Sequence, residues 1–134
     1  MPKILVVEDS FSMRSFVRSA LETGSELGEV DVVEASGGFD ALRLLPRGPY
    51  DLVITDINMP DINGLELIQF IRTNEHHRKT PILLISTQSS ERDRERALSL
   101  GADGYVAKPF TAEDLRARVK AQLEKGRTSA RGNG

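Results

Sequence analysis

The chain has 134 residues, of which 39% are hydrophobic, and this is enough for one compact domain with a single core. Its 18 basic and 20 acidic residues leave a formal net charge of −2, so no overall electrostatic field favours nucleic acid or an anionic membrane as a partner. There is no cysteine, which excludes disulfides, thiolate zinc sites and cysteine nucleophiles.

Five short runs rich in β-branched residues predict strands, and segments with helical spacing separate them. The predicted strands are residues 4–7, 30–34, 52–55, 82–85 and 104–107. Runs such as "ILVV" and "ILLI" are apolar throughout, as is typical of strands buried on both faces. The alternation predicts a doubly wound α/β fold, with a five-stranded parallel sheet, helices on both faces and right-handed crossovers.

Apolar residues at helical spacing predict the buried faces of four helices. In chain order these are Met13, Phe16, Val17, Ala20 and Leu21, then Phe39, Leu42 and Leu45, then Leu65, Ile68 and Ile71, and finally Leu115, Val119 and Leu123. Two of these helices also have the start signal of a capping pair, Asn63 with Glu66 and Thr111 with Asp114. The spacing therefore predicts both the packing faces and two of the helix starts.

Three other segments are predicted to be solvent-facing. Residues 89–100 carry apolar side chains only near their end, so we expect a marginal, solvated helix that Gly101 terminates. His76 and His77 are adjacent and point to different sides, so they are poor joint ligands, and we predict a surface loop there. Residues 125–134 contain almost no apolar residue and are predicted to be a flexible tail after a domain of residues 1–124.

Polar side chains follow four of the predicted strands at their carboxyl ends. They are Glu8 and Asp9 after the first strand, Asp56 after the third, Ser86 after the fourth and Lys108 after the fifth. Because ligands of open α/β sheets bind outside these strand ends, we expect the side chains to converge. A single acid pair after a strand is also typical of an ordinary helix start. The conjunction at several strands favours a functional site.

A divalent cation and a phosphoryl group fit this set of side chains. Three carboxylates close together repel one another, and a cation offsets that repulsion. Ligands that are all oxygen favour a hard ion, and few carboxylates with room for water suit Mg²⁺ better than Ca²⁺. Asp56 is then a candidate nucleophile that could carry a phosphoryl group as an acyl phosphate. Lys108 would hold one phosphoryl oxygen, and the Ser86 hydroxyl would reach another.

Four motifs carry a family resemblance: "ILVVEDS", "DLVITDINMPDINGLEL", "PILLIST" and "GADGYVAKPF". With them the chain resembles the receiver domain of two-component response regulators, specifically the single-domain chemotaxis (CheY-like) type, from residue 2 to about residue 123. The resemblance implies a flavodoxin-like receiver fold with strand order 2-1-3-4-5 and five flanking helices.

The resemblance also implies the acceptor and the metal ligands. Asp56 would be the phospho-acceptor. Asp9 and Asp56 would bind Mg²⁺ directly together with the backbone carbonyl of Asn58, while Glu8, which stands where many members have Asp, would act mostly through water.

Further residues would form the switch. Ser86 occupies the position of the switch hydroxyl, Tyr105 that of the switch aromatic, and Lys108 that of the phosphate-binding lysine, followed by Pro109 in a cis bond. Phosphorylation would favour one of two pre-existing arrangements. The surface of helix four, strand five and helix five would then be read by a partner.

These implications define the expected function and partners. We expect a stand-alone response regulator that takes a phosphoryl group from a cognate histidine kinase and binds a downstream target protein, such as a motor switch or another signalling protein. It would be a monomer, and a switch rather than a turnover enzyme, although it could dephosphorylate itself. No segment approaches the roughly 20 apolar residues that span a bilayer, so we expect a cytoplasmic protein that contacts neither membrane nor nucleic acid.

Three other interpretations compete with this one. A degenerate receiver would act only as a phosphorylation-independent binding module, and the full acidic set argues against it. A phosphohydrolase of the haloacid dehalogenase type needs a second Asp where this chain has Asn58, and an amide cannot exchange the proton. A flavodoxin-like cofactor binder needs a phosphate loop rich in glycine and hydroxyl groups, whereas "VEDSFS" contains two acids.

Thr87 departs from the family pattern, in which the residue after the switch hydroxyl is commonly Ala. A larger side chain beside the acceptor would narrow access for water or phosphodonor. We therefore predict that Thr87→Ala changes the rate of phosphorylation or dephosphorylation, measured by acetyl phosphate labelling and decay. Unchanged values of both rates would contradict this prediction.

Overall fold

The strands form one parallel sheet. A computed structural model describes residues 1–87 and 91–132, with side chains for residues 1–86 and 91–125. The strands are β1 (Lys3–Val7), β2 (Asp31–Ala35), β3 (Leu52–Asp56), β4 (Ile82–Thr87) and β5 (Gly104–Lys108). Their order is β2-β1-β3-β4-β5, which confirms the order implied by the resemblance. Every residue of β3, the central strand, is buried.

Five helices cover the two faces of the sheet. They are α1 (Phe11–Glu22), α2 (Gly38–Leu44), α3 (Gly64–Thr73), α4 (Glu91–Leu100) and α5 (Ala112–Gly132), and a 3-10 turn (Leu45–Arg47) follows α2. One apolar cluster joins the sheet to α1 and α5, and a second joins it to α2, α3 and α4. Within the described ranges, none of the helices combines the length and the apolar character that crossing a membrane requires.

The structure confirms several local predictions. Asn63 Oδ1 accepts a hydrogen bond from the Glu66 N–H (3.0 Å), and Glu66 Oε1 accepts one from the Asn63 N–H (3.4 Å). Thr111 Oγ1 likewise accepts from the Asp114 N–H at 3.0 Å. These capping bonds satisfy N–H groups that lack partners within the helix. Gly101 ends α4 with a φ of +119°, a region that favours glycine.

The structure confirms the solvated character of α4 and the buried face of α5, but it extends α5 into the segment that was predicted to be a tail. Among the described side chains of α4, the buried one is that of Ala97, which agrees with the predicted solvated helix. Leu115, Val119 and Leu123 of α5 are buried as predicted. The helical backbone of α5 continues to Gly132, inside the segment predicted to be a tail. The division of the chain at residue 124 and the flexibility of the tail stay predictions.

The predicted buried face of helix two was wrong at Phe39, whereas Leu45 is buried as predicted and Leu42 is partly buried against the core. Phe39 is 64% exposed, whereas Ala41 and Leu44 face the core. The orientation of α2 comes from the loop between β3 and α3, where Asp61 accepts hydrogen bonds from the Gly38 and Phe39 N–H groups at 3.1 and 2.9 Å. A contact between segments so far apart in sequence is invisible to helical periodicity.

The prediction that both histidines lie on the surface was wrong for His77. Its side chain is only 6% exposed, whereas His76 is exposed. The turn before β4 folds back on itself, since the His77 N–H donates to Asn74 O (3.1 Å) and His77 O accepts from the Thr80 N–H (3.0 Å). His77 thereby lines a cavity of about 470 Å³ beside α2 and α3. Burial lowers the pKa of His77.

The turn from β3 into α3 brings Gly64 against the end of β3. The Gly64 N–H donates to Ile57 O at 2.8 Å. A Cβ atom at Gly64 would collide with the carbonyl oxygen of Asp56 and would lie 2.8 Å from the Cα of Ile57. Both obstacles are backbone atoms, which cannot rotate away. The glycine is therefore required by close approach to the strand end that carries Asp56.

We predict that Gly64→Ala lowers the free energy of unfolding by about 1–3 kcal/mol, because the new methyl group displaces backbone. Urea unfolding followed by circular dichroism measures this. Gly104→Ala is the matched control, since its Cβ would meet Gln122 Nε2, the end of a flexible side chain, at 2.8 Å. We expect a smaller loss there. A Gly64→Ala protein as stable as the wild type would contradict the prediction.

Candidate functional site

The strand register brings the predicted residues to one edge of the sheet. Val7 of β1 lies opposite Thr55 of β3, so the next residues, Glu8 and Asp56, are level with each other. On the other side, Asp56 lies opposite Ile85 of β4. The convergence follows from parallel strands that end together.

The three carboxylates form a close cluster. Glu8, Asp9 and Asp56 each offer an oxygen, and these oxygens lie within 4.8 Å of one another. Glu8 and Asp56 are buried, whereas Asp9 is exposed. The cluster thus has two acids inside the protein and one at its mouth, so a ligand could approach from the side of Asp9.

Lys108 connects the two buried acids. It lies opposite Thr87, two residues beyond the level of Asp56 and Ile85. Its Nζ donates to Asp56 Oδ2 at 2.8 Å and to Glu8 Oε1 at 3.2 Å. Desolvation lowers the pKa of Lys108, but the hydrogen bond and the negative charge of Asp56 outweigh it, so the pKa is raised. The lysine therefore remains an ammonium group at neutral pH.

One ammonium group does not neutralise this cluster. Burial raises the pKa of Glu8 from 4.5 to about 7, although the Ser10 N–H opposes the change by donating to Glu8 Oε2 at 3.1 Å. The negative charge of Asp56 adds to the increase. Burial therefore favours the protonated form of Glu8 in the metal-free protein. The cluster has more negative charge than its own residues stabilise.

A hard divalent cation fits this donor set. The contributing side-chain atoms are oxygens, and two of the three carboxylates are buried and share a single cationic partner. Oxygen donors are the ligands that Mg²⁺ prefers. The Asn58 N–H donates to Asp56 Oδ1 at 3.1 Å, which fixes the Asp56 carboxylate and the start of the following loop.

The other predicted site residues lie on the two strands that follow β3 in the sheet, β4 and β5. Ser86 is buried on β4, one residue beyond the partner of Asp56. Tyr105 is half-buried on β5 opposite Leu84, and the guanidinium of Arg94 lies 5.1 Å from the centre of its ring. Lys108 and Pro109 are joined by a cis peptide bond, as the resemblance implied. The Thr87 side chain lies outside the described residues.

Two residues that support the site had no signal in the sequence. Asp61 binds the first N–H groups of α2 and so fixes the loop that follows Asp56. Arg14 of α1 donates from Nη1 to the carbonyl oxygen of Glu8 at 2.8 Å. Arg14 lies outside the four motifs, and Asp61 lies within "DLVITDINMPDINGLEL" without a predicted role, since each acts through tertiary contacts. An aspartate and an arginine of this kind are indistinguishable in sequence from ordinary surface charges.

Comparisons with known proteins agree with the fold and the motifs. The response regulator receiver domain matches residues 4–120. The chain is 36% identical to chemotaxis protein CheY-3 of Vibrio cholerae, over 92% of both chains, and 33% identical to chemotaxis protein CheY of Pseudomonas aeruginosa, over 92% of this chain and 97% of the relative. The solved structure of chemotaxis response regulator CheY4 of Vibrio cholerae is similar with a TM-score of 0.82 and 32% identity, over 91% of this chain and 98% of the other.

The chain belongs to the response regulator receiver domain family. Its fold is that of CheY-like receiver domains. Proteins of this type are signalling proteins rather than turnover enzymes.

We predict that removing the charge of Glu8 changes the pH dependence of stability in metal-free protein. The raised pKa means that Glu8 stabilises the fold fully below pH 4.5 and that this contribution is lost as pH rises through about 7. Asp56, Asp9 and Lys108 are the charged groups that face Glu8. In the presence of a chelator, the free energy of unfolding of the wild type should fall by on the order of 1–3 kcal/mol across this pH range. Glu8→Gln should lose much less.

Urea unfolding at a series of pH values measures this difference. Glu75→Gln, on the exposed turn after α3, is the control and should follow the wild-type profile. If the free energy of unfolding varied with pH in the same way in the wild type and in Glu8→Gln, the burial of Glu8 would not govern its titration.

Proposed function

We propose that the chain is a stand-alone response regulator of a two-component phosphorelay, in which Asp56 accepts a phosphoryl group from a histidine kinase. The observation that carries the proposal is the buried Asp56 carboxylate, held by Lys108 at 2.8 Å and clustered with Glu8 and Asp9. Membership of the receiver family supports it. The similarity to two chemotaxis proteins also supports the proposal, since the matches cover 92% and 97% of the lengths of those proteins.

Four residues would hold the Mg²⁺ ion. Asp9 and Asp56 would bind it through carboxylate oxygens, Asn58 through its backbone carbonyl, and Glu8 mostly through water. When bound, Mg²⁺ supplies positive charge that offsets the acids and the oxygens of an incoming phosphoryl group. The excess negative charge of the metal-free cluster supports this assignment, because such a cluster attracts a cation.

The chemical step is a transfer between two protein side chains. A carboxylate oxygen of Asp56 attacks phosphorus, a P–O bond forms and the P–N bond of the donor phosphohistidine breaks, with its electron pair returning to the imidazole nitrogen. Lys108 moves a hydrogen bond from the Asp56 carboxylate to a phosphoryl oxygen. Ser86 offers its hydroxyl to another. The product is an acyl phosphate on Asp56, and it decays when water replaces the aspartate on phosphorus.

The switch would run from Ser86 to Tyr105 and the surface of α4, β5 and α5. Phosphorylation adds charge and acceptor oxygens at the strand ends, which draws Ser86 toward the new group. The aromatic ring of Tyr105 can then exchange between two packings. The location of Tyr105 beside α4, with Arg94 over its ring, supports this route. A helix with little apolar surface, such as α4, is a suitable moving part.

The partners would be a cognate histidine kinase and a downstream target protein in the cytoplasm. The names of the relatives support chemotaxis as the pathway, and a motor switch would be one candidate target in that pathway. Signalling in this manner needs no nucleic acid, no membrane and no second copy of the chain.

We predict that acetyl phosphate with Mg²⁺ adds one phosphoryl group to the wild type and none to Asp56→Asn. The modification should add the mass of one phosphoryl group and should be labile to hydroxylamine, as an acyl phosphate is. Intact-protein mass spectrometry before and after hydroxylamine measures both properties. Asp51→Asn is the matched control, because it removes a carboxylate at the opposite end of β3, where Asp51 accepts a hydrogen bond from the Lys3 N–H.

The controls separate the proposal from a receiver that only binds proteins. If Asp51→Asn is labelled and Asp56→Asn is not, the acceptor is assigned to Asp56. A wild type that gains no such group would contradict the phosphorylation mechanism and favour a phosphorylation-independent binding module. Labelling of Asp56→Asn would place the acceptor on another residue.

A further inference from the structure

Arg14 joins the acidic loop to the rest of the fold. Its Nη1 donates to the backbone carbonyl of Glu8 at 2.8 Å, and its Nε donates to Glu34 Oε1 on β2 at 3.1 Å. The side chain is 15% exposed, and its guanidinium lies 5.6 Å from the centre of the Phe11 ring. A guanidinium has separate, rigidly placed donors, so it can fix two acceptors relative to each other.

The carbonyl that Arg14 binds is part of the peptide between Glu8 and Asp9. That peptide sets the direction in which both acids leave the end of β1. Other bonds hold Glu8 itself, since the N–H of the preceding peptide donates from Glu8 to Ala35 O at 3.1 Å and the Glu8 side chain binds the Ser10 N–H and Lys108. Asp9 is exposed, so its position depends on this peptide more than on packing.

Arg18 provides an internal comparison one helical turn later. It binds the other oxygen of Glu34 from Nη1 at 2.6 Å, and it pairs with Glu22. Arg14 and Arg18 therefore share the same acidic partner and the same charge. The Arg18 side chain donates hydrogen bonds to Glu34 and Glu22, whereas the Arg14 side chain donates to Glu34 and to the Glu8 carbonyl.

We infer that Arg14 is a positioning residue for the cation site: anchored on Glu34, it fixes the peptide between Glu8 and Asp9 so that the two acids face Asp56. This inference rests on the proposed function, because it assigns Arg14 to the Mg²⁺ site. Supporting residues around metal ligands orient those ligands, and their loss commonly weakens binding. Arg14 would act through the backbone and would contact neither the metal nor the phosphoryl group.

The loss of positive charge and the loss of positioning predict opposite effects of removing Arg14 on the affinity for Mg²⁺. Loss of a nearby cation would by itself strengthen the attraction between Mg²⁺ and the acids. Loss of positioning would weaken Mg²⁺ binding. The direction of the change therefore separates the two effects, and Arg18→Ala reports the charge effect alone, since it removes the same charge from Glu34.

The experiment measures Mg²⁺ affinity and the backbone of the acidic loop. Titration of Mg²⁺ into ¹⁵N-labelled wild type, Arg14→Ala, Arg14→Lys and Arg18→Ala gives dissociation constants from amide shifts. Spectra and order parameters of the Asp9 and Ser10 amides are compared in the metal-free proteins, and urea unfolding checks that each variant is folded. We expect on the order of tenfold weaker binding in Arg14→Ala. Arg18→Ala should bind as well as the wild type or better.

Arg14→Lys keeps the charge but replaces two separate donors with one ammonium group. We expect it to bind Mg²⁺ nearly as weakly as Arg14→Ala, with displaced or more mobile Asp9 and Ser10 amides in both variants. Wild-type affinity in Arg14→Lys would show that only charge matters and would overturn the inference. Equal weakening in Arg18→Ala, or unchanged Asp9 and Ser10 amides in Arg14→Ala, would overturn it too.

The same data distinguish this inference from the proposed function. A wild type that binds no Mg²⁺ would contradict the proposed metal site. The comparison of the Asp9 and Ser10 amides in metal-free protein would still decide whether Arg14 fixes the loop.

Discussion

The structure depends on the contact between one ammonium group and two buried carboxylates at the end of a parallel sheet. Lys108 binds Asp56 and Glu8, and the two acids cannot be placed side by side in the interior without such a partner. The compensation is incomplete, as the raised pKa of Glu8 shows. Because the site has residual negative charge, it attracts a cation. Lys108, which binds Asp56, can transfer its hydrogen bonds to an incoming anion. Both properties follow from one arrangement.

The surrounding fold holds this unfavourable arrangement in place through backbone contacts. Gly64 allows α3 to begin directly against the carbonyl of Asp56. Asp61 attaches the intervening loop to the start of α2, and Arg14 attaches the acidic loop to β2. The pKa of Asp61 is lowered by the Phe39 N–H and other backbone donors, so its charged form is the one that the fold stabilises. Charged residues outside the cluster thus support it while keeping their own partners.

The sequence predicted the features that local physics controls. Strand positions, the two capping pairs and the polar residues at the strand ends depend on short-range pattern and on the geometry of parallel sheets. The exposure of Phe39 and the burial of His77 depend on how distant segments pack, which periodicity does not encode. Arg14 and Asp61 were missed for the same reason. Their partners lie far along the chain, at Glu34 and at the start of α2.

The distribution of packing connects the site to its proposed output. On one side of Asp56, β1 and β3 are buried and their acids are fixed by backbone bonds. On the other side, α4 contributes little apolar surface and Tyr105 is half-buried beneath Arg94. A new charge at Asp56 would meet a rigid environment toward β1 and a weakly packed one toward α4. A conformational change costs less free energy where the packing is weaker. The rearrangement would therefore be expected at the surface of α4, β5 and α5.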